Sequence, residues 1–363
     1  MDKMKNRLKK LNSLLKSQNL DGLLVSSASN VTYLSGYDGT NGLVLITSTC
    51  GNFFLTDFRY HQQAKQEVKN LKLVFAQREL IQDLDRFKFL QEKNYKLGFE
   101  ANYVTYSAVQ KLKKILLNAL LVPIENLIES VSIIKDKQEI DKIKKAVRIT
   151  DHTFAYILNF IKPGMRESDL AAEIEHNFRR MGADGAAFPT IVASGYRSAM
   201  PHGRASSKKI QKGELITFDM GATYQGYVSD MTRTIVLGKA TPKQRRIYDL
   251  VLRAQKKAIS KAKAGISGME LDKAARDIIK RAGYGKNFGH GLGHGLGLVV
   301  HSSPAINMKS NIILKPGMVI TIEPGVYIPG WGGVRIEDDV LITQKGCQIL
   351  NISPKHLIEI KRG

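Results

Sequence analysis

Cysteine is scarce in this chain, and long apolar runs are missing. Only Cys50 and Cys347 occur among the 363 residues, which argues against a disulfide framework and a cysteine-rich zinc module. No stretch approaches the roughly 20 apolar residues that span a bilayer. The basic N-terminal residues are not followed by the apolar core of a signal peptide. The sequence therefore predicts a cytoplasmic protein that makes no membrane contact.

Acidic residues are also in the minority, since 55 Lys and Arg face 33 Asp and Glu, for a net charge of +22. The excess is spread over the chain and forms neither a tail nor an arginine-rich strip. Such a charge raises non-specific affinity for polyanions. However, no RNA-binding signature, helix-turn-helix pattern or basic run with interleaved aromatic residues accompanies it. We therefore expect no specific nucleic-acid partner.

The chain length and the residue patterns indicate two domains, residues 1–132 and 133–363. In the first domain, helical and strand-like stretches alternate, with a hairpin around Ser48–Gly51 and a helix predicted over Tyr103–Leu120. This pattern is typical of a mixed α/β domain. The strand-like pair Ile133–Ile134 then leads into a long helix whose apolar positions continue to Leu158.

An internal repeat marks the second domain. Residues 212–221 match residues 316–325 at an offset of 104, and glycine and leucine positions upstream match at an offset of 101. Each half thus reads as a helix pair followed by a hairpin. We expect the two halves to pack as pseudo-two-fold partners around a shared core. The upstream positions are Gly164, Leu170 and Gly182, which match Gly265, Leu271 and Gly283.

Each predicted hairpin carries a pair of carboxylates. Asp219 and Asp230 are equidistant from the centre of the first turn, and Glu323 and Glu337 flank Gly330 in the second. Residues equidistant from a turn face each other across an antiparallel pair. Opposed like charges then need a cation or a shared proton. Solvent-facing turn residues are the alternative, but two related pairs within apolar strands favour a metal site.

Histidines that could add a nitrogen ligand lie in the glycine-rich segment 288–297. A flexible loop or a phosphate cradle is the alternative interpretation of this segment. Its glycine spacing matches neither the P-loop nor the dinucleotide fingerprint. His301 follows the segment, and His202 precedes the first carboxylate pair. These two histidines become candidates only because they adjoin the predicted site.

The ordered set Asp219, Asp230, His294, Glu323 and Glu337 resembles the ligand pattern of metal-dependent peptidases with the pita-bread fold, specifically the Xaa-Pro peptidases. Residues 30–36 and 56–60 are similar to the creatinase/prolidase-type N-terminal domain. The resemblance implies a two-domain α/β protein. Its N-terminal domain would be mixed α/β, and its C-terminal domain a pita-bread α+β unit with the internal repeat.

The resemblance further implies two divalent ions and a water between them that attacks the peptide carbonyl. Oxygen ligands with one imidazole suit Mn²⁺, although Co²⁺ or Zn²⁺ can occupy such a site. Asp219 would hold one ion, and His294 and Glu323 the other, with Asp230 and Glu337 bridging. Glu323 could also be the general base, while His202 and His301 would hydrogen-bond substrate or intermediate, and Arg335, near Tyr327, would orient a bridging ligand.

From these features we expect a cytoplasmic Xaa-Pro aminopeptidase, acting on proline-containing peptides as a homodimer. An Xaa-Pro dipeptidase (prolidase) is the alternative within the enzyme class. A catalytically silent family member that binds nucleic acid or protein is the alternative outside it. One position departs from the family pattern, because Ser302 stands where an acidic residue usually follows the histidine equivalent to His301.

Overall fold

The computed structural model describes residues 3–361, and the chain divides into two compact units, residues 1–132 and 133–363. The first unit is built on one mixed sheet of six strands in the order β4-β3-β2-β1-β5-β6. Its apolar core lies between this sheet and the helical segments over residues 80–116. The elements of this unit are α1 (Lys3–Ser17), β1 (Gly22–Val25), α2 (Ala28–Ser35), β2 (Leu43–Thr47), β3 (Phe53–Thr56), α3 (His61–Glu67), β4 (Lys72–Phe75), β5 (Lys96–Glu100), α4 (Tyr106–Ile115), β6 (Leu120–Ile124) and α5 (Leu127–Ser132).

The mixed α/β character and the hairpin of β2 and β3 are confirmed, but two local predictions were wrong. The helix predicted over Tyr103–Leu120 is shorter, because the Thr105 side chain caps α4 and its last turn ends at Ile115. Leu120 instead opens β6, which pairs in parallel with β5. Ile133–Ile134 form no strand, since they follow α5 directly and their side chains pack against the core of the second unit.

The second unit contains the repeat as two helix pairs, each followed by antiparallel strands. In the first half, α6 begins at a capping box formed by Asp136 and Glu139, and a core cluster lies between the helices and the sheet β20-β12-β9-β8. The elements of this half are α6 (Lys137–Phe160), α7 (Glu167–Arg180), β7 (Gly185–Ala186), β8 (Ile191–Ser194), β9 (Leu215–Met220), β10 (Ala222–Tyr224), β11 (Tyr227–Val228) and β12 (Met231–Leu237).

The second half repeats this order. Its helices begin at capping boxes of Thr241 with Gln244 and of Ser267 with Glu270, and a second core cluster lies between them and the sheet β14-β13-β15-β18-β19. The predicted pseudo-two-fold repeat is confirmed. The elements of this half are α8 (Pro242–Lys261), α9 (Gly268–Arg281), β13 (Gly293–Gly295), β14 (Ser302–Ile306), β15 (Val319–Ile322), β16 (Gly325–Ile328), β17 (Gly332–Arg335), β18 (Asp338–Ile342), β19 (Cys347–Ile349) and β20 (Glu359–Ile360).

Within residues 3–361, no helix combines the length and the apolar character that crossing a bilayer requires. The long helices α6 and α8 are amphipathic instead. Each buries one face on its own half of the second unit.

Candidate metal centre

The five predicted ligands lie in strands of both halves or directly beside them, and they line one cavity of about 510 Å³ within the second unit. Asp219 lies in β9, and Asp230 immediately precedes β12. His294 is the central residue of β13. Glu323 follows β15, and Glu337 precedes β18. The same cavity is lined by the other three predicted site residues, His202, His301 and Arg335.

The turn of the first hairpin is centred one residue beyond the predicted centre, so the partner of Asp219 differs from the predicted one by two residues. Asp219 pairs with Thr232, and Met220 pairs with Met231, so Asp230 is not directly opposite Asp219. The cause is the two-residue turn at Gln225 and Gly226, where both residues have positive φ angles. The two aspartates are therefore diagonal neighbours rather than a directly opposed pair.

The second hairpin has the predicted centre. Ile322 pairs with Asp338 on one side, and Gly325 pairs with Arg335 on the other, so the turn is centred on Gly330. Glu323 and Glu337 occupy facing positions between these two ladders. The loop is centred on a single residue, and residue counting therefore gave the correct register.

The tightest cluster of possible ligands combines both halves. One ligand atom each from Asp230, His294 and Glu337 lies within 4.8 Å of the other two. The Nε2 atom of His294 is 3.6 Å from an oxygen of Asp230 and 3.4 Å from an oxygen of Glu323. These separations are longer than direct hydrogen bonds. The side chains thus surround a common space without direct hydrogen bonds between His294 and the two carboxylates.

Arg335 and Thr232 connect the carboxylates from behind. The guanidinium of Arg335 donates to Asp219 Oδ2 at 2.6 Å and to Thr232 Oγ1 at 2.8 Å. The hydroxyl of Thr232 in turn donates to Glu337 Oε2 at 2.6 Å. Arg335 is 4% exposed, so this chain of charge-assisted bonds is shielded from water. The expected orienting role of Arg335 therefore has a direct contact with Asp219 as its basis.

Thr321 performs a similar task on the other side of the site. Its hydroxyl accepts a hydrogen bond from the His294 backbone N–H at 3.1 Å and donates to Glu323 Oε1 at 3.3 Å. The strand carrying His294 is thereby linked to the side chain of Glu323. Neither Thr232 nor Thr321 was identified from the sequence, because a single threonine in an apolar strand carries no functional signal.

The glycines on either side of His294 have a packing role. Gly293 and Gly295 are not among the residues with positive φ. A Cβ atom on Gly293 would collide with the carbonyl of Thr321, and one on Gly295 with the carbonyl of Ser303. The short strand β13 therefore fits between its neighbours β14 and β15 only because these positions lack side chains.

The buried carboxylates of the site favour the binding of a cation. Burial, reinforced by Glu337, raises the pKa of Asp230 well above its ordinary value. Burial also raises the pKa of Glu323 to about 8, and burial together with Glu323 and Asp219 raises the pKa of Glu337. In the imidazole of His294, burial lowers the pKa to about 4, which favours the neutral, ligating form.

An unpartnered oxygen gives an independent test of whether a metal fits. Asp219 Oδ1 is buried and has no hydrogen-bond partner among the described residues, although its Oδ2 is held by Arg335. A buried carboxylate oxygen without a donor is costly, and a coordinated cation removes that cost. Four carboxylates and one neutral imidazole form a suitable donor set for a divalent ion. The residues present therefore fit a metal centre.

His202 and His301 lie at the exposed edge of the cavity. The rings of His301 and His294 are 4.4 Å apart in an edge-on arrangement. Ser302, at the position where an acidic residue was expected, begins β14. Within residues 3–361, the hydrogen bond of its hydroxyl is to the carbonyl of Ser303, at 3.5 Å. A carboxylate that could fix the His301 ring is therefore not supplied from position 302.

His290, for which the sequence indicated no separate role, also lines the cavity. Its Nε2 lies 2.9 Å from the Tyr327 hydroxyl, which accepts a hydrogen bond from Arg335 at 2.8 Å. Burial lowers the pKa of His290 to about 4. Arg204, also missed, lies at the cavity mouth. The position of His290 in the glycine-rich segment was the available signal, whereas Arg204 had none.

Comparison with known proteins identifies both units. A model of the Metallopeptidase family M24 matches residues 141–344, and a model of the Creatinase/Prolidase N-terminal domain matches residues 7–134. An Xaa-Pro dipeptidase of Pyrococcus horikoshii is 41% identical, over 99% of this chain and 100% of its own length. The expected two-domain architecture with a pita-bread C-terminal domain is confirmed.

Solved structures agree with these matches. An Xaa-Pro dipeptidase from Bacillus anthracis superposes with a TM-score of 0.95 at 41% identity, covering 98% of this chain and 99% of that chain. An X-Pro aminopeptidase from Thermotoga maritima gives 0.88 at 36% identity, covering 94% and 98%. The dipeptidases are thus more similar to this chain than that aminopeptidase. They favour the dipeptidase alternative over the aminopeptidase that we expected from the sequence.

Proposed function

We propose that this chain, which belongs to the Metallopeptidase family M24, is an Xaa-Pro dipeptidase that hydrolyses the bond between a first residue and a C-terminal proline. The observation that carries the proposal is the buried cluster of carboxylates around His294, together with the similarity to dipeptidases along nearly the whole chain. The N-terminal domain would comprise residues 1–132 and the catalytic domain residues 133–363.

Two divalent ions, with Mn²⁺ the best match to the donor set, would bind at the cluster. Asp219, His294 and Glu323 would each serve one ion, and Asp230 and Glu337 both. When bound, such ions polarise the peptide carbonyl and make a water nucleophilic at neutral pH. The close approach of Asp230, His294 and Glu337 and the unpartnered oxygen of Asp219 support this assignment.

The side chains around the cluster would then have distinct tasks. Glu323 would accept a proton from the attacking water and return it to the proline nitrogen that leaves. His202 and His301, at the exposed edge, would donate hydrogen bonds to the substrate and to the oxyanion. Arg335 and Thr232 would keep Asp219 and Glu337 in their orientations through the bonds described above.

Substrate length distinguishes the two enzyme interpretations. With Mn²⁺ supplied, we expect a higher kcat/KM for Ala-Pro than for Ala-Pro-Ala. Asp230→Asn is the matched inactive control, because it removes one ligand charge without changing side-chain size. A preference for the tripeptide would replace the dipeptidase with the aminopeptidase. Absence of cleavage of both peptides with Mn²⁺, Co²⁺ or Zn²⁺ would favour a silent binding protein.

The cytoplasmic location and the homodimer remain predictions. The composition of the chain and the family resemblance support them. Sedimentation equilibrium of the purified protein tests the dimer directly, since a single species of monomer mass would contradict it.

A further inference from the structure

Among the described residues, two Lys or Arg side chains line the cavity, and they differ in exposure and in hydrogen bonding. Arg335 is buried and donates to Asp219, Thr232, the Tyr327 hydroxyl and the carbonyl of Pro201. Arg204 is exposed, and within residues 3–361 its guanidinium has no carboxylate partner and no hydrogen-bond acceptor. A charge is therefore available at the cavity mouth that the metal cluster does not use.

The backbone that carries Arg204 is firmly held. Its carbonyl accepts a hydrogen bond from Arg197 at 2.6 Å, and Arg197 is bound to the fully buried carboxylate of Glu167 at 2.9 Å. Glu167 also accepts hydrogen bonds from the backbone and hydroxyl of both Ser194 and Ser206. An exposed side chain is thus mounted on an anchored turn, as a binding group requires.

This turn lies close to the reacting centre. The carbonyl of Pro201, three residues before Arg204, accepts a hydrogen bond from the same guanidinium that holds Asp219. The turn is also tight, because Gly203 N–H bonds to the carbonyl of Met200 and Arg204 N–H to that of His202. In an Xaa-Pro dipeptide the terminal carboxylate lies only one residue beyond the bond to be cleaved, or about 3.8 Å along the chain. A cation at this turn is therefore close to the position expected for the terminal carboxylate of a bound dipeptide.

We propose that Arg204 binds the C-terminal carboxylate of the substrate and so selects dipeptides over longer or blocked peptides. The inference rests on the dipeptidase function proposed above and deepens it. A guanidinium remains charged at physiological pH, and its fork of donors matches both oxygens of a carboxylate. A peptide that continues beyond proline carries a neutral amide at this point and does not form the ion pair.

The test compares Ala-Pro with Ala-Pro amide, which differ only in the charge of the terminal group. We expect the wild-type enzyme with Mn²⁺ to cleave Ala-Pro with a kcat/KM about tenfold higher, as the loss of one charge-assisted hydrogen bond suggests. In Arg204→Gln this ratio should fall to about 1 through the loss of Ala-Pro cleavage alone. Arg204→Lys should restore part of it.

Lys209→Gln is the matched control, because it removes one exposed positive charge from a neighbouring position that does not line the cavity. Its ratio should equal that of the wild type. If Arg204→Gln retains the wild-type ratio, or if Lys209→Gln loses it equally, the assignment to Arg204 is wrong while the dipeptidase stands.

If the wild type cleaves neither compound, the proposed function fails. Calorimetric binding of Ala-Pro then decides the inference separately. Weaker binding to Arg204→Gln than to the wild type supports the carboxylate contact, and equal binding or no binding to either overturns it.

Discussion

Replacing Glu337 with glutamine should have opposite effects on stability in the absence and in the presence of metal. The substitution keeps the size of the side chain and an oxygen that can accept from Thr232. Without metal it removes one charge from a cluster of buried carboxylates. With metal it removes a ligand proposed to serve both ions. We therefore expect the Glu337→Gln protein to be more stable than the wild type in chelator, and to gain less from added Mn²⁺.

The sign follows from proton linkage. Burial, Glu323 and Asp219 raise the pKa of Glu337 well above its ordinary value, so the folded metal-free protein binds a proton there more tightly than the unfolded chain does. The resulting penalty is absent below the unfolded pKa of about 4.3 and grows as the pH rises towards the folded value. We expect the penalty at neutral pH to be about 2 kcal/mol, the order of the cost of burying a polar group that lacks its partners.

Thermal unfolding in chelator and in Mn²⁺ measures both effects. In chelator, Glu337→Gln should raise the Tm by about 4–8 °C, at 2–4 °C per kcal/mol for a unit of this size. Mn²⁺ at 100 times its Kd stabilises the wild type by about 2.7 kcal/mol, and the variant by less. Glu175→Gln, on the exposed face of α7, is the control and should change neither value. A variant less stable than the wild type in chelator, or an equal gain from Mn²⁺ in both proteins, would refute the reasoning.

Three further substitutions test the surroundings of the site. Glu167→Gln should lower the free energy of unfolding by about 2 kcal/mol and raise KM, because a buried carboxylate that anchors the turn at the cavity mouth is lost. Wild-type values in denaturant titration and in steady-state kinetics would contradict this. Gly293→Ala should lower both the Tm and kcat, because its Cβ collides with the neighbouring strand, and a protein with normal melting and turnover would show that the strand has room. Ser302→Glu should move the pH–rate profile to higher pH by favouring protonated His301, and an unchanged profile would mean that other contacts fix this ring.

The repeat and the ligand set could be obtained from the sequence, because both depend on local spacing. The helices α7 and α9 begin and end at positions 101 residues apart, as the matching glycines and leucines indicated. The second hairpin is centred on Gly330, so counting from its turn gave the facing positions of Glu323 and Glu337 correctly. The family resemblance was carried by residues whose order and separation are sequence properties.

Only the tertiary structure decided the contacts that act across long separations. The first hairpin register depends on a turn at Gln225 and Gly226 whose left-handed backbone the composition does not specify. Arg335 reaches Asp219 across 116 residues, and Arg204 reaches the cavity through a turn fixed by Glu167. Such neighbours are brought together by the packing of two halves around buried cores. Local residue spacing therefore determined the chemistry of this protein, while packing determined which side chains hold, orient and surround it.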